Sequence, residues 1–158
     1  MEINIRKATI DDYAALCEIF NEIDALHRKH LPQLFQKPDG AARDKDYFLE
    51  QIADENIALL VADTGGELVG FVHAMLKEPP ALTFFVPRSY VSVESLVVKT
   101  EFQHHSIGKM LMNEMQTWAI SKGVTSIELN VYEFNQTAIS FYESLGYQTV
   151  SRKMSKRT

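Results

Sequence analysis

The sequence predicts an α/β domain in which helices cover both faces of a mixed, mostly antiparallel sheet. Residues 57–63 and 68–75 are continuous apolar runs joined by a Gly-rich turn, which is typical of a β-hairpin buried on both sides. Further along, residues 90–99 show a strand pattern, residues 107–122 an amphipathic helix, and residues 126–132 a second strand pattern. That order and spacing are typical of a parallel crossover unit.

The segment before the hairpin predicts one strand and two helices. Residues 3–8 alternate as an edge strand does, and Thr9 follows where a helix cap is needed. The helix that begins there extends to about Leu26. Residues 27–42 carry prolines and a glycine without a sustained period and predict a loop, whereas residues 43–54 have the apolar stripe of a second helix.

The end of the chain predicts a helix followed by a strand. Residues 136–144 form the helix, and Gly146 provides its stop signal. Residues 147–154 are predicted to form a final strand. At 158 residues, the length favours one domain over residues 1–158.

Composition excludes several classes of function. The net charge is -5 and the pI is near 5.5, which argues against a broad nucleic-acid-binding surface. No apolar run approaches the roughly 18 residues that a membrane span needs, and no signal-like segment opens the chain. With Cys17 as the single cysteine, no intramolecular disulfide can form. We therefore expect a cytoplasmic protein without a membrane partner.

The turn between the strand at 90–99 and the helix at 107–122 carries the strongest chemical signal. It reads Gln-His-His-Ser-Ile-Gly-Lys over residues 103–109. Consecutive backbone N–H groups, a hydroxyl and a glycine therefore stand where a helix begins. Such a helix start attracts phosphate through its unpaired donors and its dipole. The alternative interpretation is an ordinary capped helix start.

Two segments resemble signatures of the GNAT acetyltransferase superfamily. Gln103-x-x-Ser106-x-Gly108 resembles its acetyl-CoA loop, in which Gln or Arg is followed after two residues by Gly, one residue, and Gly or Ala. Downstream, residues 135–147 (NQTAISFYESLGY) resemble the family's segment of Asn, Ala, Phe-Tyr-Glu, Leu-Gly and an aromatic. Both segments occur in the family's order, separated by one helix and one strand.

This resemblance implies a GNAT-like fold, splayed between the two parallel strands that end at Val98 and Val131, with acetyl-CoA as cosubstrate. It implies that the main chain of Leu96 and Val98 pairs with the pantetheine arm and that the Leu96 N–H points at the thioester carbonyl. The implied cofactor-binding residues are Leu96, Val97, Val98, Gln103, His104, His105, Ser106, Ile107, Gly108, Lys109, Asn135, Ala138 and Tyr142.

Ser106 departs from the family pattern, because glycine is usual at that position. A side chain there either crowds the phosphate or donates its hydroxyl to it, and the sequence leaves both outcomes open. Asn135 resembles the asparagine that opens the second CoA-contacting helix, and it is also a good helix N-cap in its own right.

Tyr142 and Glu94 are the catalytic candidates. Tyr142 resembles the tyrosine that gives a proton to the departing CoA thiolate; a phenol near pKa 10 facing a thiolate near about 8.5 is expected to donate with little penalty. The alternative for Tyr142 is a core aromatic. By the two-residue period, Glu94, Leu96 and Val98 share one face, so Glu94 is a candidate base for the amine proton or a structural carboxylate. Weaker candidates for the base are Glu128 and Asn130.

The histidines suggest no metal site. Adjacent His104 and His105 on an irregular turn rarely point at one ion, so no metal is expected. His27 and His30, with Glu22 and Asp24, have helical spacing and either line the acceptor pocket or mark a solvated helix end.

The resemblance implies an N-acetyltransferase that moves acetyl to a primary amine of a small molecule or peptide, by direct attack in a ternary complex. The rival from another class is a non-catalytic acyl-CoA sensor or interaction module, which would keep the loop without needing Tyr142 or Glu94. The acceptor, other acyl groups and a homodimer are left open, since fold does not decide among them.

Overall fold

A five-stranded sheet whose strands lie side by side in chain order forms the centre of the molecule. The computed structural model describes all 158 residues. The strands are β1 (Asn4–Lys7), β2 (Ile57–Asp63), β3 (Leu68–Lys77), β4 (Tyr90–Val98) and β5 (Ile127–Leu129). Neighbours from β1 to β4 pair antiparallel, and β4 pairs with β5 in parallel. The prediction of a mixed, mostly antiparallel sheet is confirmed.

Four helices cover the two faces of this sheet, as the doubly apolar strands predict. On one face lie α1 (Tyr13–His30) and α2 (Lys45–Ala53), and on the other lie α3 (Ile107–Ser121) and α4 (Gln136–Ser144). Strand β3 serves both faces because successive side chains alternate. Its Val72 packs against the α3 core, and its Phe71 packs against the α1 core.

The parallel pair β4 and β5 separates soon after it forms. Pairing covers Val91 to Val93 in β4 and ends at Leu129 in β5, so the strand predicted over residues 126–132 is too long. The chain beyond β5 instead turns toward α1, where Phe134 stacks on His30 with ring centroids 4.2 Å apart. A cleft therefore opens between β4 and the segment after β5, as the GNAT resemblance implies.

Two further predictions are corrected by the structure. Helix α1 continues to His30 instead of ending near Leu26, because the first helix-breaking residue is Pro32. The final strand predicted over residues 147–154 is wrong, since no strand follows α4. The nearest sheet edge, β5, offers only a three-residue strand for pairing, and Val150 is 88% exposed. None of the helices is both long enough and apolar enough to cross a bilayer.

Candidate active site

A β-bulge interrupts β4 next to the cleft. The register with β3 skips Glu94, because the residues on either side of it pair with His73 and Ala74, which are consecutive. One extra residue in a strand shifts the two-residue alternation by one position. The side chains that follow Glu94 in β4 therefore lie on the opposite faces from those that an uninterrupted alternation would give them.

The bulge places Glu94 on the opposite face from Leu96 and Val98. Leu96 and Val98 pack against the core beneath α3, whereas Glu94 lines a cavity on the α1 and α2 face. The prediction that these three side chains share one face is therefore wrong. Glu94 can meet an acceptor from one side of the sheet, while the strand edge beyond it is open to a ligand in the cleft.

The backbone of Leu96 and Val98 points into the cleft. The Lys99 N–H donates to the Val69 carbonyl at 2.8 Å, which makes these two residues a hydrogen-bonded pair of the β3–β4 ladder. Hydrogen-bonded and non-hydrogen-bonded residue pairs alternate along an antiparallel ladder. Val97 therefore also directs its N–H toward β3, whereas Leu96 and Val98 direct theirs away from β3. At that level β5 no longer pairs with β4. The N–H groups of Leu96 and Val98 are therefore free to bind an extended ligand.

Residues 104–109 form an anion-binding turn at the start of α3. The first N–H of the helix with a backbone acceptor is that of Met110, which donates to the Ser106 carbonyl at 3.0 Å. The N–H groups of residues 104–109 have no acceptor within the protein. His104 and Ser106 adopt left-handed backbone conformations, with φ of 67° and 63°. Alternating handedness turns successive N–H groups toward one concave side, which suits a phosphate.

The left-handed conformation of Ser106 explains why glycine is usual at this position. An L residue there brings Cβ close to the backbone, which costs roughly 1–2 kcal/mol. The Ser106 side chain makes no capping hydrogen bond of its own. Its hydroxyl is therefore available to a ligand, and the choice between crowding and donation stays open.

Gln103 ties the anion-binding turn to the end of β4. Its side-chain Nε2 donates to the Val98 carbonyl at 3.1 Å. That carbonyl faces the cleft, so the exposed Gln103 amide lies where the cleft meets the turn. A ligand that bonds to the Val98 carbonyl would share it with Gln103 or displace the amide.

Helix α4 packs directly against the first turn of α3. A Cβ added at Gly108 would lie 3.3 Å from Cζ of Phe141, so glycine leaves room for the Phe141 ring against the first turn of α3. Asn135 caps α4, because its side-chain oxygen accepts from the Ala138 N–H at 3.2 Å. The capping role predicted for Asn135 is confirmed.

Tyr142 lies on α4 with its ring packed against the core that also receives Leu96 and Val98. Burial, with a smaller contribution from Tyr147, raises the pKa of Tyr142 to about 12. Its hydroxyl has no partner in the protein and is not sealed from solvent, since no buried polar side-chain atom is left unpaired. The raised pKa keeps the phenol protonated, so Tyr142 is suited to hydrogen-bond donation, and it makes complete proton transfer less favourable than an ordinary phenol pKa near 10 would.

A cavity of about 330 Å³ lies on the α1 and α2 face of the sheet, beside the bulge. Its walls combine aromatic rings with charged and amide groups. They are formed by Phe20, Arg43, Tyr47, Phe48, Gln51, Leu59, His73, Met75, Lys77, Glu94 and Ser95. A cavity of this size and lining fits a small polar ligand or one end of a longer one.

The candidate base Glu94 is engaged in an ion pair within this cavity. Its Oε1 lies 2.7 Å from Lys77 Nζ, and the hydrogen bond that Lys77 donates to this carboxylate raises the pKa of Lys77. The weaker candidates lie elsewhere. Glu128 pairs with Arg88 at 2.9 Å, and Asn130 is exposed just beyond β5. Of the three candidates for the base, only Glu94 lines the cavity.

The family model for the acetyltransferase (GNAT) family matches residues 20–147 of this chain. The chain belongs to the GNAT family of acetyltransferases. The match includes the β4 bulge, the anion-binding turn and all of α4.

Individual relatives agree with the GNAT assignment. N-acetyltransferase family 8 member 2 of Rattus norvegicus is 32% identical over 89 residues, which are 56% of this chain and 37% of that protein. The chain spans less than half the length of the curated relatives it matches. The X-ray structure of a tetramutant of the BH1408 protein from Bacillus halodurans has a TM-score of 0.92 at 24% identity, covering 98% of this chain and 99% of that chain.

A third relative was solved with CoA. An aminoglycoside N-acetyltransferase in complex with CoA has a TM-score of 0.74 at 15% identity, with 98% of each chain covered. At these identities the two structural likenesses show a shared fold and no more. The mixed sheet with a parallel pair at one end is therefore the GNAT fold.

Sequence reasoning missed His73 in this GNAT site. It lies on β3 opposite Ser95, lines the cavity, and is only 7% exposed. Its Nε2–H donates to Gln51 Oε1 at 2.8 Å. The available signal was a single ionisable residue within residues 68–76 of β3, which are otherwise apolar. Such a residue needs a partner when it is buried.

The other histidines occupy two separate regions. His104 and His105 are exposed on the anion-binding turn, and no group of three or more metal-ligating side chains occurs in the structure. His27 and His30 lie at the end of α1, where His27 stacks on Phe35 with ring centroids 5.2 Å apart. Burial lowers the pKa of His27. These two residues belong to an aromatic cluster and do not line the cavity beside Glu94.

The acidic residues of α1 are also engaged in local contacts. Asp24 forms an ion pair with Arg43 at 2.8 Å, and Glu22 accepts from the Thr100 hydroxyl at 3.2 Å. The Arg43 guanidinium stacks over the Phe20 ring at 4.1 Å from its centroid. Asp24 therefore acts on the cavity only through Arg43.

Proposed function

We propose that this chain is an acetyl-CoA-dependent N-acetyltransferase that transfers acetyl to a primary amine by direct attack in a ternary complex. The observation that carries the proposal is the continuity of the cleft: the unpaired N–H groups of Leu96 and Val98 at the edge of β4 lead into the free N–H groups of residues 104–109. A strand-like arm ending in a diphosphate fits this path, and CoA has that chemistry.

The residues present fit acetyl-CoA along its length. The pantetheine arm would pair with Leu96 and Val98 like an added strand, since their N–H and carbonyl groups face the cleft. The pyrophosphate would bind the N–H groups of residues 104–109, with Gly108 keeping α4 close. The start of α4, where Asn135 caps the Ala138 N–H, is assigned to the same ligand.

The Leu96 N–H is the donor assigned to the thioester carbonyl. A backbone donor held in a strand needs no reorientation as negative charge develops on the oxygen. Because the bulge lies two residues earlier, this donor faces the cleft while the neighbouring Glu94 side chain reaches the acceptor cavity. Acetyl-CoA at the edge of β4 and the acceptor in the cavity would then meet beside the bulge.

The acceptor is assigned to the cavity of about 330 Å³ that contains Glu94. The Glu94 carboxylate would attract an ammonium group and assist in removing its proton. Tyr142 would donate a hydrogen bond to the leaving sulfur, since its pKa of about 12 keeps the phenol protonated. Cys17 does not line the cavity, so no covalent enzyme intermediate is invoked.

The relatives support this assignment without naming the acceptor. An aminoglycoside N-acetyltransferase and a glucosamine-6-phosphate N-acetyltransferase from Arabidopsis thaliana share the fold, and both names describe transfer to a small-molecule amine. The acceptor of this chain is accordingly a primary amine on a small molecule or a peptide.

The test is CoA-thiol release from acetyl-CoA across a panel of amines, with a parallel calorimetric titration of CoA. The panel contains spermidine, kanamycin A, glucosamine 6-phosphate, a peptide with a free N-terminus and a lysine peptide with a blocked N-terminus. Acceptor-dependent release would support the enzyme and name its substrate class. Tight CoA binding without release to any amine would favour an acyl-CoA sensor, and absence of CoA binding would refute both.

A further inference from the structure

His73 is a buried ionisable group that the proposed chemistry has not yet used. It lies directly across the ladder from Ser95, the residue before Leu96. Residues paired in this way have Cα atoms about 5.5 Å apart and side chains on the same face. The imidazole therefore lines the acceptor cavity next to the strand position assigned to the thioester carbonyl.

One hydrogen bond fixes the tautomer of this imidazole. Gln51 Oε1 is an acceptor, and it lies 2.8 Å from His73 Nε2, so the ring proton resides on Nε2. The second nitrogen, Nδ1, has no partner in the protein and is not sealed from solvent. Because the ring is almost wholly buried and lines the cavity, the free lone pair of Nδ1 is accessible from there.

We propose that His73 Nδ1 accepts the proton that the amine loses as it attacks the thioester, with Gln51 holding the ring in the required tautomer. This inference rests on the proposed N-acetyltransferase function. Glu94 keeps the binding of the acceptor as an ammonium ion and the release of its first proton, and His73 takes the proton that is lost during the attack. The Glu94 carboxylate already binds the Lys77 ammonium at 2.7 Å. It is therefore better suited to binding a cation than to accepting the proton that the amine loses during the attack.

The protons and bonds balance in three steps. The bound ammonium first releases one proton to solvent through Glu94 and becomes a neutral amine. Its nitrogen forms a bond to the acetyl carbon, and the remaining excess proton passes to His73 Nδ1. The C–S bond then breaks, and the leaving thiolate accepts a hydrogen bond from Tyr142 and a proton from solvent. The imidazolium returns its proton to solvent through the cavity.

The charged groups around His73 keep the imidazole neutral before the reaction. Burial lowers the pKa of His73, and the positive charges of Arg43 and Lys77 lower it further. The negative charge of Glu94 on β4 raises it. Asp24 of α1 is paired with Arg43, and the facing residue of β2 is the apolar Leu59. A neutral imidazole at pH 7 is ready to accept a proton.

The test is the pH dependence of kcat/KM for the panel amine that reacts fastest, expressed per concentration of neutral amine. This normalisation removes the ionisation of the amine itself. The wild type should lose activity below a midpoint that lies under pH 6.5, the ordinary pKa of histidine. His73→Gln should remove this acidic limb and reduce turnover by roughly 10²- to 10⁴-fold.

Gln51→Glu provides a second variant that keeps the histidine. A carboxylate on Nε2–H stabilises the imidazolium, so the acidic limb should move to higher pH. The matched control is Gln116→Glu on the exposed side of α3, which adds the same charge away from the site and should leave the limb in place. Nitrogen-15 NMR of the free enzyme should show a proton on Nε2 of His73, independent of turnover.

Three results would overturn the assignment: an acidic limb that persists in His73→Gln, a limb unmoved in Gln51→Glu, or a proton on Nδ1 in the NMR spectrum. If His73→Gln does not fold, Gln51→Glu and the NMR spectrum still decide. A wild type that transfers acetyl to no amine would instead refute the proposed function itself, and with it this role of His73.

Discussion

Lys77 Nζ lies 2.7 Å from Glu94 Oε1, and both side chains line the cavity assigned to the acceptor. The protein thus places one of its own ammonium groups on the carboxylate that would bind the substrate's ammonium. The two side chains are 41% and 33% exposed. Ion pairs with that much solvent contact contribute about 0–1 kcal/mol, so an incoming amine can replace Lys77 at little cost.

Lys77→Met should therefore strengthen binding of the amine. Removing the competing ammonium leaves the Glu94 carboxylate free, and we expect KM for the acceptor to fall by about fivefold at most, the equivalent of 1 kcal/mol. Steady-state kinetics with the best panel amine measure this change. Lys7→Met, on the exposed edge of β1, is the control and should leave KM unchanged. A rise in KM would mean that Lys77 positions Glu94 and does not compete with the substrate.

Tyr142→Phe separates an enzyme from an acyl-CoA sensor. The substitution keeps the ring that packs in the core and removes only the hydroxyl, so CoA affinity by calorimetry should not change. Turnover should fall by roughly 10²-fold or more, because the leaving sulfur loses its donor. The phenol has a pKa of about 12, so we expect no loss of wild-type activity from its ionisation below about pH 11.

The matched control for Tyr142 is Tyr147→Phe. Tyr147 lies beside it, with ring centroids 5.8 Å apart, and has no assigned role in the reaction. This variant should retain wild-type turnover. Equal losses in both variants would point to disturbed packing, and unchanged turnover in Tyr142→Phe would refute the role of its hydroxyl.

Ser106→Gly tests the departure from the family's glycine. Glycine at position 106 relieves the strain of a left-handed L residue, which is roughly 1–2 kcal/mol. It also makes the unfolded chain more flexible, which lowers the free energy of unfolding by about 0.4–1 kcal/mol. A net gain of about 0.5–1 kcal/mol should raise Tm by about 2 °C in a domain of this size. Calorimetry with CoA then decides what the hydroxyl does: weaker binding means that it donates to the phosphate, and tighter binding means that the side chain crowds it.

The control for Ser106→Gly is Gln116→Gly in the middle of α3. There the backbone is helical and the side chain is exposed, so glycine should lower stability by about 1 kcal/mol. If both variants lower Tm equally, the left-handed conformation of Ser106 carries no strain that glycine can release.

The fold was predictable because its strands and helices have strong hydrophobic patterns. The doubly apolar runs of β2 and β3 predicted the buried hairpin, and Asn135 predicted the start of α4. The bulge at Glu94 was not predictable, since an inserted residue leaves no mark in a strand that mixes Val and Ser. The error assigned Glu94 to the wrong face of the sheet.

The acceptor cavity was the part of the site that sequence alone could not assemble. Its walls come from α1, α2, β2, β3 and β4, so His73 and Gln51 meet only after folding. The part of the site assigned to CoA is local, because the anion-binding turn follows β4 closely in the chain, so a short motif was enough to propose it. A cytoplasmic location, a single domain over the whole chain and a homodimer remain predictions.

Gly70→Ala should destabilise the protein where β3 meets β4. A Cβ at Gly70 would lie 2.7 Å from the Val97 carbonyl oxygen, 3.3 Å from Val98 Cα and 3.4 Å from a methyl group of Leu111. Two of these three neighbours are backbone atoms of β4, so the strand itself has to move. Overpacking of this kind costs about 1–3 kcal/mol, and thermal unfolding should show a Tm lower by roughly 2–10 °C.

The same variant should also weaken CoA binding, because Val98 is one of the residues whose backbone faces the cleft. Gly66→Ala in the hairpin turn is the matched control: its added Cβ meets no atom within 4 Å, and its φ is not in the left-handed region. We expect that control to leave both Tm and CoA affinity within error. A loss of stability without a loss of CoA affinity in Gly70→Ala would show that β4 relaxes toward α3 and leaves the cleft edge in place.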